Sequence, residues 1–361
     1  MGFSEEEIAV AKRYKYNGKD DSIFVKLFYR KFWDWAITFM PIWIAPNLIT
    51  LIGFFFELFS FALSFYYSDG LAKPMPSWVC FVNGISLFIY QLMDNLDGRQ
   101  ARRTGSSSPL GQFFDHGCDA ITGVSELFKV AASFNLGVSK KTFYFIFLMG
   151  FGFFFTSWEE YVTHRFYLGP INGPDEGLTL IWIGHIVVGF FPELHHFGHS
   201  TLVKIIFIIS VILTVGGILL NVIRQAINNK QIAKTAVLSS FPCIISTVIF
   251  VILEETNKTA QNNVFFIMSA GYLLQYGAQV LITSFLVGRS PIRLFNIQKI
   301  LLWAVAIAVI LSPQIGDYPH FWTYYYFAIV GIMLVYDIEV ITGLSKGLEI
   351  HPFKIKPKQQ Q

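Results

Sequence analysis

Ten continuous apolar runs divide this chain, and they restrict what it can fold into more than any other feature. They fall at about 48–66, 78–96, 118–136, 142–161, 178–192, 202–222, 235–253, 264–285, 299–313 and 321–343. A run of about 20 apolar residues crosses the hydrocarbon core of a bilayer as one helix. The runs are continuous rather than alternating, which argues against a β-barrel. The expectation is therefore an all-α, polytopic transmembrane bundle of about ten helices, of which the fifth and ninth are short. Turn chemistry separates the runs, as in SDGLAKPMP, GSSSPLG, INGPDEG and SPQIGDYP. Only 14% of residues are charged, where a soluble domain carries about a quarter. That shortfall excludes a disordered chain and argues against a soluble globule. The net charge of +3 is spread over loops and tails, so no nucleic-acid partner is expected. Cys80, Cys118 and Cys243 are far apart and form no disulfide framework or CxxC site.

Lysine and arginine in the loops orient the bundle. Alternate loops starting from the second hold ten, among them Arg99, Arg102 and Arg103; the other set holds five. Both tails and the loop after the second run are thus expected on the cytosolic side. Asn257-Lys258-Thr259 is a glycosylation sequon on the opposite, lumenal side, in weak agreement. The polar first residues contain no apolar core of a cleavable signal peptide. Asp21 to Phe39 mixes Ile, Phe, Leu and Trp with Lys and Arg. It reads as an amphipathic helix on the cytosolic surface, or equally as a helix packed on the bundle. The expected organisation is a cytosolic segment over 1–40, a catalytic core over 41–225, further membrane helices over 226–345, and a tail over 346–361 whose end is disordered.

One stretch carries chemistry. Asp94 and Asp97 end the second run at i, i+3, and Asp115 and Asp119 open the third at i, i+4. Each pair shares a helical face. A short Gly/Ser/Pro loop joins the two, so the helices are expected to be antiparallel neighbours with four carboxylates facing one another. Apolar folding supplies no reason for such charges at membrane depth. Divalent cations resolve the repulsion, and hard oxygen ligands suit Mg²⁺ or Mn²⁺. Four carboxylates can share two ions. Gly98 allows close approach of a ligand to the backbone, and Arg102 can grip a phosphate with two parallel hydrogen bonds.

The spacing D-x2-D-G-x2-A-R-x8-G-x3-D-x3-D is the signature of the CDP-alcohol phosphatidyltransferase family, with Gly98, Ala101, Arg102 and Gly111 in register. DGRQARRTGSSSPLGQFFDHGCDA further resembles the eukaryotic choline/ethanolamine phosphotransferase branch. So do YKYNGKDDSIF, WIAPNLIT and WEEYVTHRFYLGPINGPDEG, over roughly residues 14–177. The resemblance implies transfer of phosphocholine or phosphoethanolamine from a CDP-alcohol to diacylglycerol drawn from the bilayer, with release of CMP. It implies that Asp94, Asp97, Asp115 and Asp119 hold two Mg²⁺ or Mn²⁺ ions, and that Asn47 and Arg102 contact the donor. His116 matches the proton acceptor, for which a side chain titrating near neutrality is suited; the alternative is that His116 orients Asp115 or Asp119. An endoplasmic reticulum or Golgi membrane, a cytosol-facing site and a homodimer are compatible with the same resemblance. Within the family, another CDP-alcohol or an inositol or ceramide acceptor is the rival reading. A transporter is a more distant one, because the charges sit at one face rather than along a path.

Other polar residues are weaker signals. Glu159 and Glu160 end the fourth run and are expected to wall the donor's cationic head or a metal's outer shell. Asn172-Gly173-Pro174 and Glu176-Gly177 read first as a turn and second as a substrate loop. Glu193, His195, His196 and His199 have spacing that suits zinc, yet read as an interfacial cluster away from the aspartates. Glu126 and Lys129 are expected to neutralise each other, and Cys118 to pack.

Overall fold

A computed structural model describes residues 2–355, apart from the side chains of Phe197, His199, Leu202, Val203, Lys204, Ile206, Phe207 and Leu294. The expected disordered end at 356–361 and the side chain of His199 lie outside the described residues. Ahead of the first apolar run come α1 (Glu5–Arg13), β1 (Gly18–Asp20) and α2 (Arg30–Ala36). The runs become α3 (Pro46–Ser68), α4 (Ser77–Thr104), α5 (Pro109–Ser133), α6 (Lys140–Thr163), α7 (Leu178–Phe190), α8 (Thr201–Ile227) and α9 (Lys230–Thr256). The short α10 (Lys258–Gln261) precedes α11 (Val264–Val287), α12 (Ile297–Leu311) and α13 (Phe321–Leu348); β2 (Phe166–Leu168) lies between α6 and α7.

Among the described residues, six of these are long and apolar enough to cross a membrane: α3, α4, the Ile208–Ile227 part of α8, α9, α11 and α13. The other runs also fold as helices. Of these α5 is long but holds Asp115, Asp119, Glu126 and Lys129, whereas α7 and α12 have only 13 and 15 residues. The chain is an all-α, multi-pass membrane bundle. Its helices bury their polar stripes and present apolar residues outward. On α3 the buried face is Asn47, Thr50, Gly53, Glu57, Ser60, Ser64 and Ser68, while Phe55, Phe56 and Phe59 are exposed. Small residues at a helix interface let membrane helices approach closely. At Gly53 an added Cβ would stand 3.0 Å from Met93 Cβ on α4. The central helix is α11, buried along most of its length and packed against α5, α6 and α13.

The segment before α3 folds back over one end of this bundle. Ser4 and Glu7 form a capping box on α1, and Glu7 pairs with Arg289 at 2.7 Å. Strands β1 and β2 pair in parallel, with Gly18 opposite Phe166 and Asp20 opposite Leu168. The helical stretch then begins at Ile23, two residues later than the expected Asp21, runs through a π turn at Val25–Tyr29 and closes with a 3₁₀ turn at Ile37–Phe39. Its inner face buries Val25, Tyr29, Trp33 and Ala36 against Ile49 and Leu96. Leu27, Phe28, Trp35 and Phe39 remain exposed, beside the exposed Lys26 and Lys31. One side of the helix thus packs on the bundle, and the other stays exposed with apolar and basic residues.

Two expectations change. Asn257 of the sequon is buried, and its amide oxygen accepts from the Ala260 backbone at 2.8 Å. That Asn is committed to a cap in the folded chain, so the sequon does not support the orientation. The Glu126–Lys129 pair forms at 2.5 Å but is part of a larger buried network. Lys129 also reaches Glu57 on α3 at 2.5 Å, and Glu126 meets His185 Nε2 on α7 at 2.8 Å. His185 Nδ1 lies 2.8 Å from Ser133 Oγ. The network ties α3, α5 and α7 together.

Candidate active site

The loop between α4 and α5 is set by its own chemistry. Gly105 ends α4 in the left-handed conformation, with φ 67°, which glycine adopts without strain. Ser108 caps α5 by accepting from the Gly111 backbone at 3.1 Å, with Pro109 in the first turn. The hairpin brings Asp94 and Asp97 to face Asp115 and Asp119. The helices themselves, expected to be close neighbours, barely touch; α3 packs along both instead. The carboxylates nevertheless meet through their side chains, with Asp115 in hydrogen-bonding reach of Asp94 and Asp97.

Each aspartate is held differently. Thr50 on α3 donates to Asp97 Oδ2. Tyr90, one turn before Asp94, donates to Asp119 Oδ1 at 2.6 Å. Asp115 lies within electrostatic reach of Asp94, Asp97 and Asp119, and its Oδ1 is buried with no hydrogen-bond partner. A buried carboxylate oxygen left unpaired among like charges is costly, and a cation removes that cost. Ligand atoms of Asp115, His116 and Asp119 come within 4.8 Å of one another. With carboxylate oxygens dominating the set, the residues fit a hard divalent ion.

His116 is buried beside these ligands. Its ring stacks at a tilt near Phe166 of β2, with centroids 5.4 Å apart, and the Gln112 side-chain amide stands 3.2 Å from its Nε2. No hydrogen bond joins it to Asp115 or Asp119 among the described contacts, so the geometry supplies no support for an orienting role. Gly98 leaves room: an added Cβ would meet only Arg102 Nη1, at 3.4 Å. Ala101 follows on the next turn, half-buried. Across the hairpin, Asn47 is buried at the start of α3, and a Cβ on Gly111 would sit 3.5 Å from its Oδ1. Arg102 lines a cleft of about 420 Å³ with Arg30, Asp34, Ile37, Arg99 and Arg103. Such a concentration of guanidinium groups suits phosphate. A roomier cleft of about 830 Å³ lies around Phe61, Tyr66 and Pro74, far along α3 from the aspartates and without comparable chemistry.

The Glu159–Glu160 pair is split. Glu159 accepts from Asn221 on α8, whereas Glu160 acts electrostatically on Tyr14 and Tyr16. Tyr16, an exposed ring, also feels Asp115 and Arg102. Among the remaining histidines, His195 Nδ1 is 2.5 Å from the Ser133 carbonyl, which places it against α5 rather than in a metal cluster. Thr50, Tyr90 and Tyr16 belong to the site although sequence reasoning passed over them. Thr50 and Tyr90 carry a legible signal, each standing one helical turn from a named site residue, Asn47 or Asp94.

Comparison with known proteins points the same way. The family model for CDP-alcohol phosphatidyltransferase matches residues 43–173. Choline/ethanolaminephosphotransferase 2 of Arabidopsis thaliana is 44% identical over 178 residues, covering 49% of this chain and 45% of that protein. Cholinephosphotransferase 1 of Saccharomyces cerevisiae is 37% identical over 193 residues, 53% of this chain and 49% of that protein. These alignments thus span about half the length of those relatives. A Dictyostelium discoideum protein described as uncharacterized CDP-alcohol phosphatidyltransferase class-I family protein 1 is 30% identical over 368 residues, covering 96% of this chain and 94% of its own. Matched along nearly the full length of that relative, the chain belongs to the CDP-alcohol phosphatidyltransferase class-I family.

Proposed function

We propose that the chain transfers phosphoethanolamine or phosphocholine from the CDP-alcohol to diacylglycerol, releasing CMP and forming phosphatidylethanolamine or phosphatidylcholine. The observation that carries this reading is the meeting of four aspartates from α4 and α5, with a buried, unpaired oxygen on Asp115. The names and similarity of the plant and yeast relatives support the same substrates. The donor is water-soluble and the acceptor lipid-soluble, which suits a site at one end of a membrane bundle. We place that end in the cytosol and the protein in the endoplasmic reticulum or Golgi, from the loop charges and the family branch. Residues 41–225 form the catalytic core in this reading, and 226–345 support it.

Asp94, Asp97, Asp115 and Asp119 would hold two Mg²⁺ or Mn²⁺ ions, which supply charge neutralisation for the donor's pyrophosphate. The chain's own residues do the rest. Arg102 and Asn47 grip the donor, and Gly98, Ala101 and Gly111 keep side-chain bulk away from it. His116 takes the proton from the free hydroxyl of diacylglycerol. The freed oxygen bonds to the phosphorus next to the head group, and the bond from that phosphorus to CMP breaks. Positioning and electrostatics dominate such transfers. Burial of His116 beside Phe153 and Phe166 keeps competing water from the proton transfer.

The direct test incubates purified chain with diacylglycerol, Mg²⁺ and either CDP-alcohol, and follows CMP and lipid product. His116→Ala is expected to lower turnover by about 10²–10⁴-fold while donor affinity holds; equal loss of affinity would make His116 structural. Chelation is expected to silence turnover and lower the melting temperature, with Mg²⁺ or Mn²⁺ restoring both. Turnover that survives exhaustive chelation would remove the ions from the reading.

A further inference from the structure

Beside the four aspartates lies a fifth carboxylate that the reaction above leaves unused. Asp175 sits in the turn Gly173–Gly177 that leads into α7. Its backbone is fully engaged. The N–H donates to Asn172 Oδ1 at 2.8 Å; the carbonyl accepts from Thr179 Oγ1 at 2.6 Å and from Gln91 Nε2 at 3.0 Å. Gln91 lies one turn before Asp94 on α4, so this clamp fixes Asp175 beside the first metal-site aspartate. Asp94 in turn feels the charge of Asp175.

The side chain is another matter. Asp175 is 4% exposed, and its Oδ2 is buried with no hydrogen-bond partner. Asn172 hydrogen-bonds the carboxylate and Arg99 acts on it electrostatically, yet Oδ2 itself keeps no partner. Arg99 bonds Asp34 at 3.2 Å and the Asn95 carbonyl at 3.1 Å. Glu176 adds negative charge and is satisfied by Ser22 Oγ and the backbones of Phe24 and Asn172. Asp20 adds more negative charge. Burial, together with Asp20, pushes the Asp175 carboxyl up to about 7. A buried carboxylate in this setting calls for a cation. The cation of the transferred group is an ammonium only two carbons from the phosphate oxygen.

We propose that Asp175 receives the head-group ammonium of the CDP-alcohol and favours a primary ammonium over a trimethylammonium; this rests on the donor reading above. A primary ammonium donates up to three hydrogen bonds, and Asp175 Oδ2 accepts one. A trimethylammonium donates none and instead requires open aromatic faces. Tyr29 and Trp33, beside this turn, have faces already taken. Tyr29 and Trp33 stack on each other with centroids 4.9 Å apart, and Arg99 already covers Trp33 at 4.9 Å. Tyr29 is tied to the same turn by its hydroxyl, 2.7 Å from Thr179 Oγ1. Gly173 leaves open space, with nothing within 4 Å of an added Cβ.

The test measures binding of CDP, CDP-ethanolamine and CDP-choline by calorimetry, and KM and kcat for both donors, on wild type and Asp175→Asn in the full-length chain. Loss of a charged hydrogen bond is expected to weaken CDP-ethanolamine by about tenfold or more through KM, with kcat and CDP affinity unchanged and CDP-choline affected less. The preference of wild type for CDP-ethanolamine should collapse. Unchanged kinetics in Asp175→Asn overturn the inference, as does equal weakening of CDP and both donors, which would mark a structural or metal-binding carboxylate. A wild type that binds neither CDP nor a CDP-alcohol overturns the donor reading itself, and the inference with it.

Discussion

Asp115→Ala is expected to abolish CMP release, by about a thousandfold or more, in a chain that still inserts and remains monodisperse. The reason lies in its position. Asp115 is the aspartate that feels Asp94, Asp97 and Asp119 together, and its buried Oδ1 has no partner within the protein. Removing it relieves repulsion among the others, so the apo chain is expected to melt at a temperature no lower than wild type without metal. The melting shift produced by Mg²⁺ or Mn²⁺ should shrink in parallel with the rate, because an ion that binds only the folded state stabilises it. Near-normal turnover, or a full metal-induced shift, would take Asp115 out of the ligand set.

Lys129→Met is expected to cost about 3–5 kcal/mol of stability, enough to lose most of the folded protein in detergent. Lys129 holds two carboxylates, Glu57 and Glu126, each at 2.5 Å, all of them excluded from solvent. Methionine keeps the length of the side chain and removes the charge, which leaves two acids facing each other without a counter-ion. The measurement is the melting temperature and the monodisperse fraction by fluorescence-detected size exclusion. Glu57→Gln in the same chain should recover part of the loss, since it removes one of the stranded charges. A single Lys129→Met with unchanged melting would show that His185 alone neutralises the pair.

Much of this architecture was legible in the sequence, and its gaps have physical causes. Continuous apolar runs name their helices because a bilayer demands backbone hydrogen bonds within each segment. The four aspartates stood out because charge is rare in such runs, and the hairpin loop placed them together. Glu57 obeyed the same logic. It is a lone acid inside the first run, and its partner Lys129 is the lone base inside the third; pairing them across helices required only that both be read as intramembrane charges. Asp175 was hidden in the turn sequence NGPDEG, where an acidic residue is ordinary. Strands β1 and β2 were not legible at all. Three residues pairing in parallel at long range leave no periodic trace. The near-absence of direct α4–α5 packing was equally invisible, because loop length sets proximity and not the width of the gap between helices.

The pairing of Gly18 with Phe166 also sets a schedule for biosynthesis. The two strands are about 150 residues apart, and at about 5–20 residues per second the first leaves the ribosome roughly 7–30 s before the second. Throughout that interval the early strand has no partner to pair with, while α3 to α6 are already entering the bilayer. The strand pair beside His116 is therefore completed only after all four aspartates have been made. A chain stalled before β2 would carry the aspartates and His116 without the Phe166 ring that lies against it.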